Sequence, residues 1–246
     1  MSGLVLHRRG EGRPVQFQHG LGGDHGQTFE SFPDLAGWEL RTLDCRGHGE
    51  SVAEGPFSIA GFAEDVAGVT PAEAVIGGIS MGAAIALRLA ARGVGRGLIL
   101  VRPAWVTEPA PANMSCVAEA AAAIAAGQDW ESFAKGATVA RLAREAPDNI
   151  LSLQGFFAKR AAHVAPLLAA IAADGPGISV AEVAAIRVPV LVCGCAEDII
   201  HPMAHAEALA GMIPGARLVE LPPKGRDKAA HIAALHAAIT LFLKEF

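Results

Sequence analysis

The sequence predicts an α/β fold built on a mostly parallel, twisted sheet with helices on both faces. Three observations carry that expectation. Short apolar runs alternate with longer helical stretches along much of the chain. Runs such as Gly97-Leu98-Ile99-Leu100-Val101 are apolar at successive positions, the pattern of a strand buried on both sides. A chain of 246 residues, 52% hydrophobic and 18% charged, has the material for one large core with a modest insertion.

In chain order, Gly3 to Arg8 reads as a first strand, followed by a turn at Gly10-Glu11-Gly12-Arg13-Pro14 and a strand at Val15 to Gln18. That strand runs into His19-Gly20-Leu21-Gly22-Gly23, and Asp24 to Asp34 then has room for a short helix with Phe29 and Phe32. Trp38 to Leu43 is a strand. Ser58 to Val69 carries Ile59, Phe62, Val66 and Val69 at helical spacing, with Ser58 as its N-cap. A strand, a sharp turn at Ser80 and an Ala/Leu-rich helix come next, and then the strand at Gly97 to Val101. From about Trp105 to Ala185 the chain is Ala-dominated, helical in pattern and punctuated by Pro and Gly. Strand character returns at Val188 to Cys193 and Ala216 to Leu221, each followed by a helix, Ala204 to Met212 and Lys228 to Phe246. The expected division is therefore a core at 1–104 and 186–246 around a helical insertion at 105–185.

A net charge of −5 and the absence of a Lys/Arg cluster argue against a nucleic-acid partner. No apolar run reaches the roughly 18 residues a membrane span needs, because Arg88 interrupts the longest candidate. The N-terminus lacks the apolar core of a signal peptide, and Cys193 and Cys195 read as buried thiols in a strand, so the expected location is cytoplasmic.

The chemistry centres on Gly78-Ile79-Ser80-Met81-Gly82, a G-x-S-x-G match between strand and helix. A chain that turns so sharply strains the backbone at Ser80, and glycines two residues either side relieve the crowding. The turn presents the Ser80 hydroxyl and aims the Met81 N–H, at the helix start, toward a developing oxyanion. The competing reading is a serine that only caps a helix. Ser80, Asp198 and a C-terminal histidine fall at strand ends in the order Ser…Asp…His, as a nucleophile, a carboxylate and a base would.

Four segments together resemble an α/β-hydrolase-fold enzyme of the capped esterase/lactonase type. They are His19-Gly20-Leu21-Gly22-Gly23, Asp44-x-Arg46-Gly47-His48-Gly49-x-Ser51, Gly78-x-Ser80-x-Gly82, and Asp198 with Ile200-His201-Pro202. The resemblance implies an α/β-hydrolase fold with a helical cap, no cofactor, and a small-molecule ester or lactone as substrate. It implies Leu21 as the second oxyanion N–H beside Met81, and a structural turn at Asp44 to Ser51. It places the base in a loop after the last strand. That loop reads Leu221-Pro222-Pro223-Lys224-Gly225-Arg226-Asp227 and holds no histidine, so the base is expected at His231, with His236 next. Asp198 is the expected acid, with Glu197 behind it. C–C bond hydrolysis on the same triad, or a receptor using the same pocket, are the alternatives.

Other candidates carry weaker signals. His201 and His205 have the spacing of one helix face and read as helix surface, since no third metal ligand accompanies them. His19 is expected to support the oxyanion loop. His25 is a candidate to line the pocket, Trp105 to form pocket wall or cap core, and Arg102 to receive a substrate carboxylate, to pair with an acid of the cap or to lie on the surface. No metal is expected, and the oligomeric state is left open.

Overall fold

The computed structural model of the chain describes residues 3–52, 54–159 and 161–246. Met1 and Ser2, where the leader reading begins, lie outside the described residues, as do Ala53 and Arg160.

The first half of the chain contains β1 (Leu6–Arg9), β2 (Arg13–Gln18), α1 (His25–Ser31), β3 (Trp38–Leu43), α2 (Ile59–Ala67), β4 (Val75–Ile79), α3 (Met81–Ala91) and β5 (Gly97–Val101). After an intervening helical stretch come β6 (Val190–Cys195), α10 (Met203–Met212), β7 (Arg217–Leu221) and α11 (Lys228–Leu243). The described strands form one sheet in the order β1-β3-β2-β4-β5-β6-β7, with β1 antiparallel to β3 and the other neighbours parallel.

The period of two along the strands sorts the core into two layers. Leu98 and Leu100 of β5 face the layer that holds Ile59, Phe62, Ile85 and Leu87 from α2 and α3. Ile99 and Val101 face the other layer, with Phe17, Phe32, Leu235, Ile239 and Phe242. Helices therefore cover both faces. Ser58 caps α2, its hydroxyl accepting the Gly61 N–H at 3.0 Å.

Between β5 and β6 lie a 3-10 turn at Ala112–Met114 and the helices α4 (Ser115–Ala125), α5 (Trp130–Phe133), α6 (Ala137–Glu145), α7 (Pro147–Ala158), α8 (Val164–Ala172) and α9 (Val180–Ala184). Helix α4 packs on α7 and α8, and α6 on α7, whereas α9 returns to the core against α3 and α10. Arg88 of α3 holds this return by donating to the carbonyls of Pro176 at 2.6 Å and Gly177 at 2.9 Å. Among the described residues no helix is long and apolar enough to cross a membrane.

From β2 the chain adds β3 on one side and then returns to place β4 on the other. The sheet reverses direction of growth at that junction, and the carboxyl ends of β2 and β4 open a crevice where ligands of such sheets bind. Gly20 and Leu21 follow β2 there, and Ser80 follows β4.

Candidate active site

Ser80 joins β4 to α3 with φ 56° and ψ −111°, a conformation that costs a side-chain-bearing residue free energy and holds only because its surroundings enforce it. Its N–H is tied to the Val101 carbonyl of β5 at 3.0 Å. The flanking glycines are demanded by contact. A Cβ on Gly78 would stand 2.4 Å from the Gly82 carbonyl carbon, and one on Gly82 would stand 2.3 Å from the Gln18 carbonyl oxygen. Both obstacles are backbone, so neither can swing aside.

The hydroxyl of Ser80 meets His201. Its Oγ lies 2.8 Å from His201 Nε2, and His201 Nδ1 lies 2.9 Å from both carboxylate oxygens of Asp198. Since Asp198 offers only acceptors, Nδ1 carries the proton, and Nε2 is left to accept from Ser80. Acid and imidazole share one short turn between β6 and α10, where the His201 N–H also donates to Asp198 Oδ1 at 3.0 Å.

The histidine beside Ser80 is His201 and not His231, the one expected from the sequence. His231 sits one turn into α11, where its Nδ1 donates to the Pro222 carbonyl at 2.8 Å and its side chain is buried away from Ser80. His236 donates from Nε2 to the Glu30 carbonyl at 3.0 Å, docking α11 against α1. The reading of His201 as helix surface also fails, because α10 begins only at Met203. Pro202 disfavours helical backbone at the residue before it, and that was the signal in the sequence. Glu197, the reserve acid, faces outward and pairs with Arg226.

Asp198 is held from every side. Arg102 donates to its Oδ2 from Nε at 2.8 Å and from Nη2 at 2.5 Å, and Asn149 of α7 donates to its Oδ1 at 2.9 Å. The Asn149 side-chain oxygen in turn accepts the N–H groups of Ile199 at 2.8 Å and Ile200 at 3.1 Å. Burial opposes the Asp198 charge, but His201, Arg102 and these hydrogen bonds outweigh it and hold the carboxyl well below the usual range. For His201 burial is the largest influence, and with the Arg102 charge it depresses the imidazole below its ordinary 6.5 against the pull of Asp198. The ring is therefore neutral at pH 7.

Arg102 thus pairs with an acid, Asp198 of the site, and also lines the cavity at Ser80. Its own charge persists because Asp198 and Asp148 offset the cost of its burial. Neither of the other two candidates, Trp105 and His25, is among the residues that line the cavity at Ser80. Trp105 is packed in the core and donates from Nε1 to the Asp174 carbonyl at 2.8 Å. His25 turns to Asp44, which accepts its Nδ1–H at 3.1 Å and its backbone N–H at 2.8 Å.

The loop after β2 is set by His19. Its Nε2 accepts the Cys45 N–H at 3.0 Å, which leaves Nδ1 protonated to donate to the Gly20 carbonyl at 2.9 Å. Burial lowers its pKa, so it is a neutral strut. Gln27 Oε1 takes the Gly20 N–H at 2.7 Å, and Gly20 accepts the Gly23 N–H at 3.0 Å. The next N–H along, that of Leu21, belongs to a residue that lines the cavity at Ser80. Met81 is the first residue of α3, so its N–H has no acceptor within the helix.

The cavity at Ser80 has a volume of about 70 Å³. Gly20, Leu21, Ser80 and His201 form its floor, and Met114, Val117, Ser152 and Phe156 from the helical stretch close it from above. A wider cleft of about 620 Å³ opens on that stretch beside Trp130 and Phe157, and Ser80, His201 and Asp198 are not among the residues that line it.

Among the described residues, His7, His25 and Asp44 are the group whose donor atoms lie close enough to share a metal ion. The two rings stack face to face at 3.7 Å, and each directs a nitrogen at Asp44 Oδ2 at 3.1 Å. Both nitrogens converge on that one oxygen at hydrogen-bond distance. The arrangement suits two N–H donors on a buried carboxylate.

Comparison with known proteins agrees with this architecture. The sequence profile described as "Alpha/beta hydrolase family" matches residues 19–240. Pimeloyl-[acyl-carrier protein] methyl ester esterase of Neisseria meningitidis serogroup B is 27% identical, over 92% of this chain and 88% of that protein. The enol-lactonase from Burkholderia xenovorans LB400 superposes with a TM-score of 0.71 at 25% identity, covering 98% of this chain and 96% of that one. A thermophilic esterase from Thermogutta terrifontis has the same fold, with a TM-score of 0.75 at 23% identity over 98% of this chain and 93% of that one.

Proposed function

The chain belongs to the alpha/beta hydrolase family, and from that premise we propose that it hydrolyses a small carboxylic ester or lactone through Ser80, His201 and Asp198. The observation that carries the reading is the continuous path from Ser80 Oγ to His201 Nε2, at 2.8 Å, and from His201 Nδ1 to Asp198, at 2.9 Å. The relatives named as an ester esterase and an enol-lactonase support the bond class.

In this mechanism His201 accepts the Ser80 proton as Oγ attacks the substrate carbonyl carbon. Asp198 keeps the imidazole in the required tautomer and stabilises the imidazolium that forms. The N–H groups of Leu21 and Met81 receive the tetrahedral oxyanion, each donor contributing about 3 kcal/mol to the transition state. Collapse passes the proton from His201 to the departing alkoxide and leaves an acyl-Ser80. His201 then deprotonates water, whose attack releases the acid and restores the serine. No cofactor enters this sequence. The helices between β5 and β6 act as a cap, since Met114, Val117 and Phe156 close the cavity over the serine and exclude bulk water.

The test is covalent labelling. A fluorophosphonate should modify wild-type protein at Ser80, and Ser80→Ala should be neither labelled nor able to turn over p-nitrophenyl acetate or short lactones. Turnover by a folded Ser80→Ala protein would refute the serine mechanism.

A further inference from the structure

The side chains that line the Ser80 cavity include two basic ones, Arg102 and Lys224, and among the described residues no carboxylate. The acids that balance them, Asp198 and Asp148, lie behind this wall. Arg102 is committed to the acid behind it, with both its Nε and Nη2 on Asp198. Lys224 is not. It follows β7 in the Pro222-Pro223-Lys224 loop and touches Asp148 Oδ2 at 3.2 Å, while its side chain stays 27% exposed. An ammonium has three donors, so the pairing leaves N–H groups for the cavity. Lys224 also lines a second cavity of about 50 Å³, and the two cavities share Gln27, Ile79, Arg102 and Lys224 as a common wall. Gln27 uses its side-chain oxygen on the Gly20 N–H, which turns its amide nitrogen, a donor, to the same wall.

We propose that Lys224, assisted by the Gln27 amide, is an anion subsite, and that the ester or lactone cleaved at Ser80 carries a carboxylate. The idea rests on the hydrolase reading for the bond that is cleaved, but the subsite itself does not. A carboxylate at Lys224 gains a charge-assisted hydrogen bond, whereas a neutral ester leaves the ammonium with poorer solvation than water gives. When Lys224 turns to a ligand, Asp148 gives up the 3.2 Å contact and keeps Arg102 Nη2 at 3.5 Å from its Oδ2.

Binding and turnover test this separately. In calorimetric titrations of Ser80→Ala, monomethyl succinate should bind about 10-fold or more tightly than dimethyl succinate. Lys224→Met should abolish that ratio and Lys224→Arg should largely keep it, with thermal melts confirming that both variants fold. Equal binding of the two esters, or a ratio that survives Lys224→Met, overturns the subsite. With the Ser80 protein, kcat/KM for monomethyl succinate is compared with that for dimethyl succinate, and kcat/KM for acetylated glycolate with that for its methyl ester. A charge preference in the first pair puts the carboxylate on the acyl side, and one in the second on the alcohol side. Either supports the subsite if Lys224→Met removes it, and no preference in either pair counts against it. Intact charge-selective binding without hydrolysis of any ester would sink the hydrolase reading and leave the subsite standing.

Discussion

His201 follows Asp198 by three residues, and within that one turn its imidazole reaches back to the carboxylate and forward to Ser80. A base and its orienting acid on a single short loop move together. Their mutual geometry therefore depends on what pins that loop rather than on the docking of a distant helix.

One pin is Asn149. It is fully buried on α7 and spends its amide on Asp198, Ile199 and Ile200. Asn149→Ala strands those groups and should cost about 1–3 kcal/mol of stability. As a positioning residue it should also lower kcat for short esters by about 10- to 100-fold with a smaller change in KM. Steady-state kinetics beside a denaturant melt would separate the two effects. An unchanged kcat in a destabilised protein would make Asn149 merely structural.

Arg102 is the second pin. Arg102→Met leaves Asp198 buried without its cation, and loss of one partner from such a pair costs about 3–5 kcal/mol. Urea unfolding at pH 7 measures it. A loss under about 1 kcal/mol would mean that Asn149 and His201 suffice to hold the charge.

The nucleophile turn tolerates nothing at Gly82. Gly82→Ala places a methyl group 2.3 Å from the Gln18 carbonyl oxygen and 2.8 Å from that of His19. The strand β2 would have to shift, at a cost of about 2 kcal/mol or more, and Ser80 would shift with it. Melting temperature and fluorophosphonate labelling should fall together.

Acid should remove activity and stability in the same direction. His201 titrates below 6.5 in the folded chain because it is buried, so the acid limb of kcat/KM should have its midpoint below pH 6.5. Stability follows by linkage. His19 and His201 are lowered and His48 is pushed down to about 3 by burial, so below pH 6.5 the unfolded chain binds more protons than the folded one. The contribution is complete above pH 6.5 and is lost as pH falls toward the folded-state values. Urea midpoints at pH 7 and pH 5 should show the fall. A midpoint of the activity limb at or above 6.5 would argue against a buried neutral imidazole.

The fold was readable because its signals are local. Leu98 to Val101 is apolar at every position, as a strand buried on both faces requires, and Ser58 announces α2 by its own hydrogen bond. Gly78 and Gly82 mark Ser80 because contact excludes any side chain at either place. What was missed is set by tertiary direction. His231 has a suitable position in the chain, but the first turn of α11 rotates it onto Pro222. Arg102, His25 and Trp105 all lie near strand ends or the loops after them. The sequence does not say that Asp198, Asp44 and the Asp174 carbonyl claim them. The path to His201 was open through Pro202, which sets it outside the helix that carries His205.

The most direct test of the account compares His201→Ala with His231→Asn, whose amide can still donate to Pro222, on p-nitrophenyl acetate and a short lactone. Loss of a catalytic base should lower kcat by about 10⁴-fold or more in His201→Ala, while His231→Asn stays within a few-fold of wild type. Collapse of the His231 variant with turnover surviving in His201→Ala would contradict the assignment and return the base to α11.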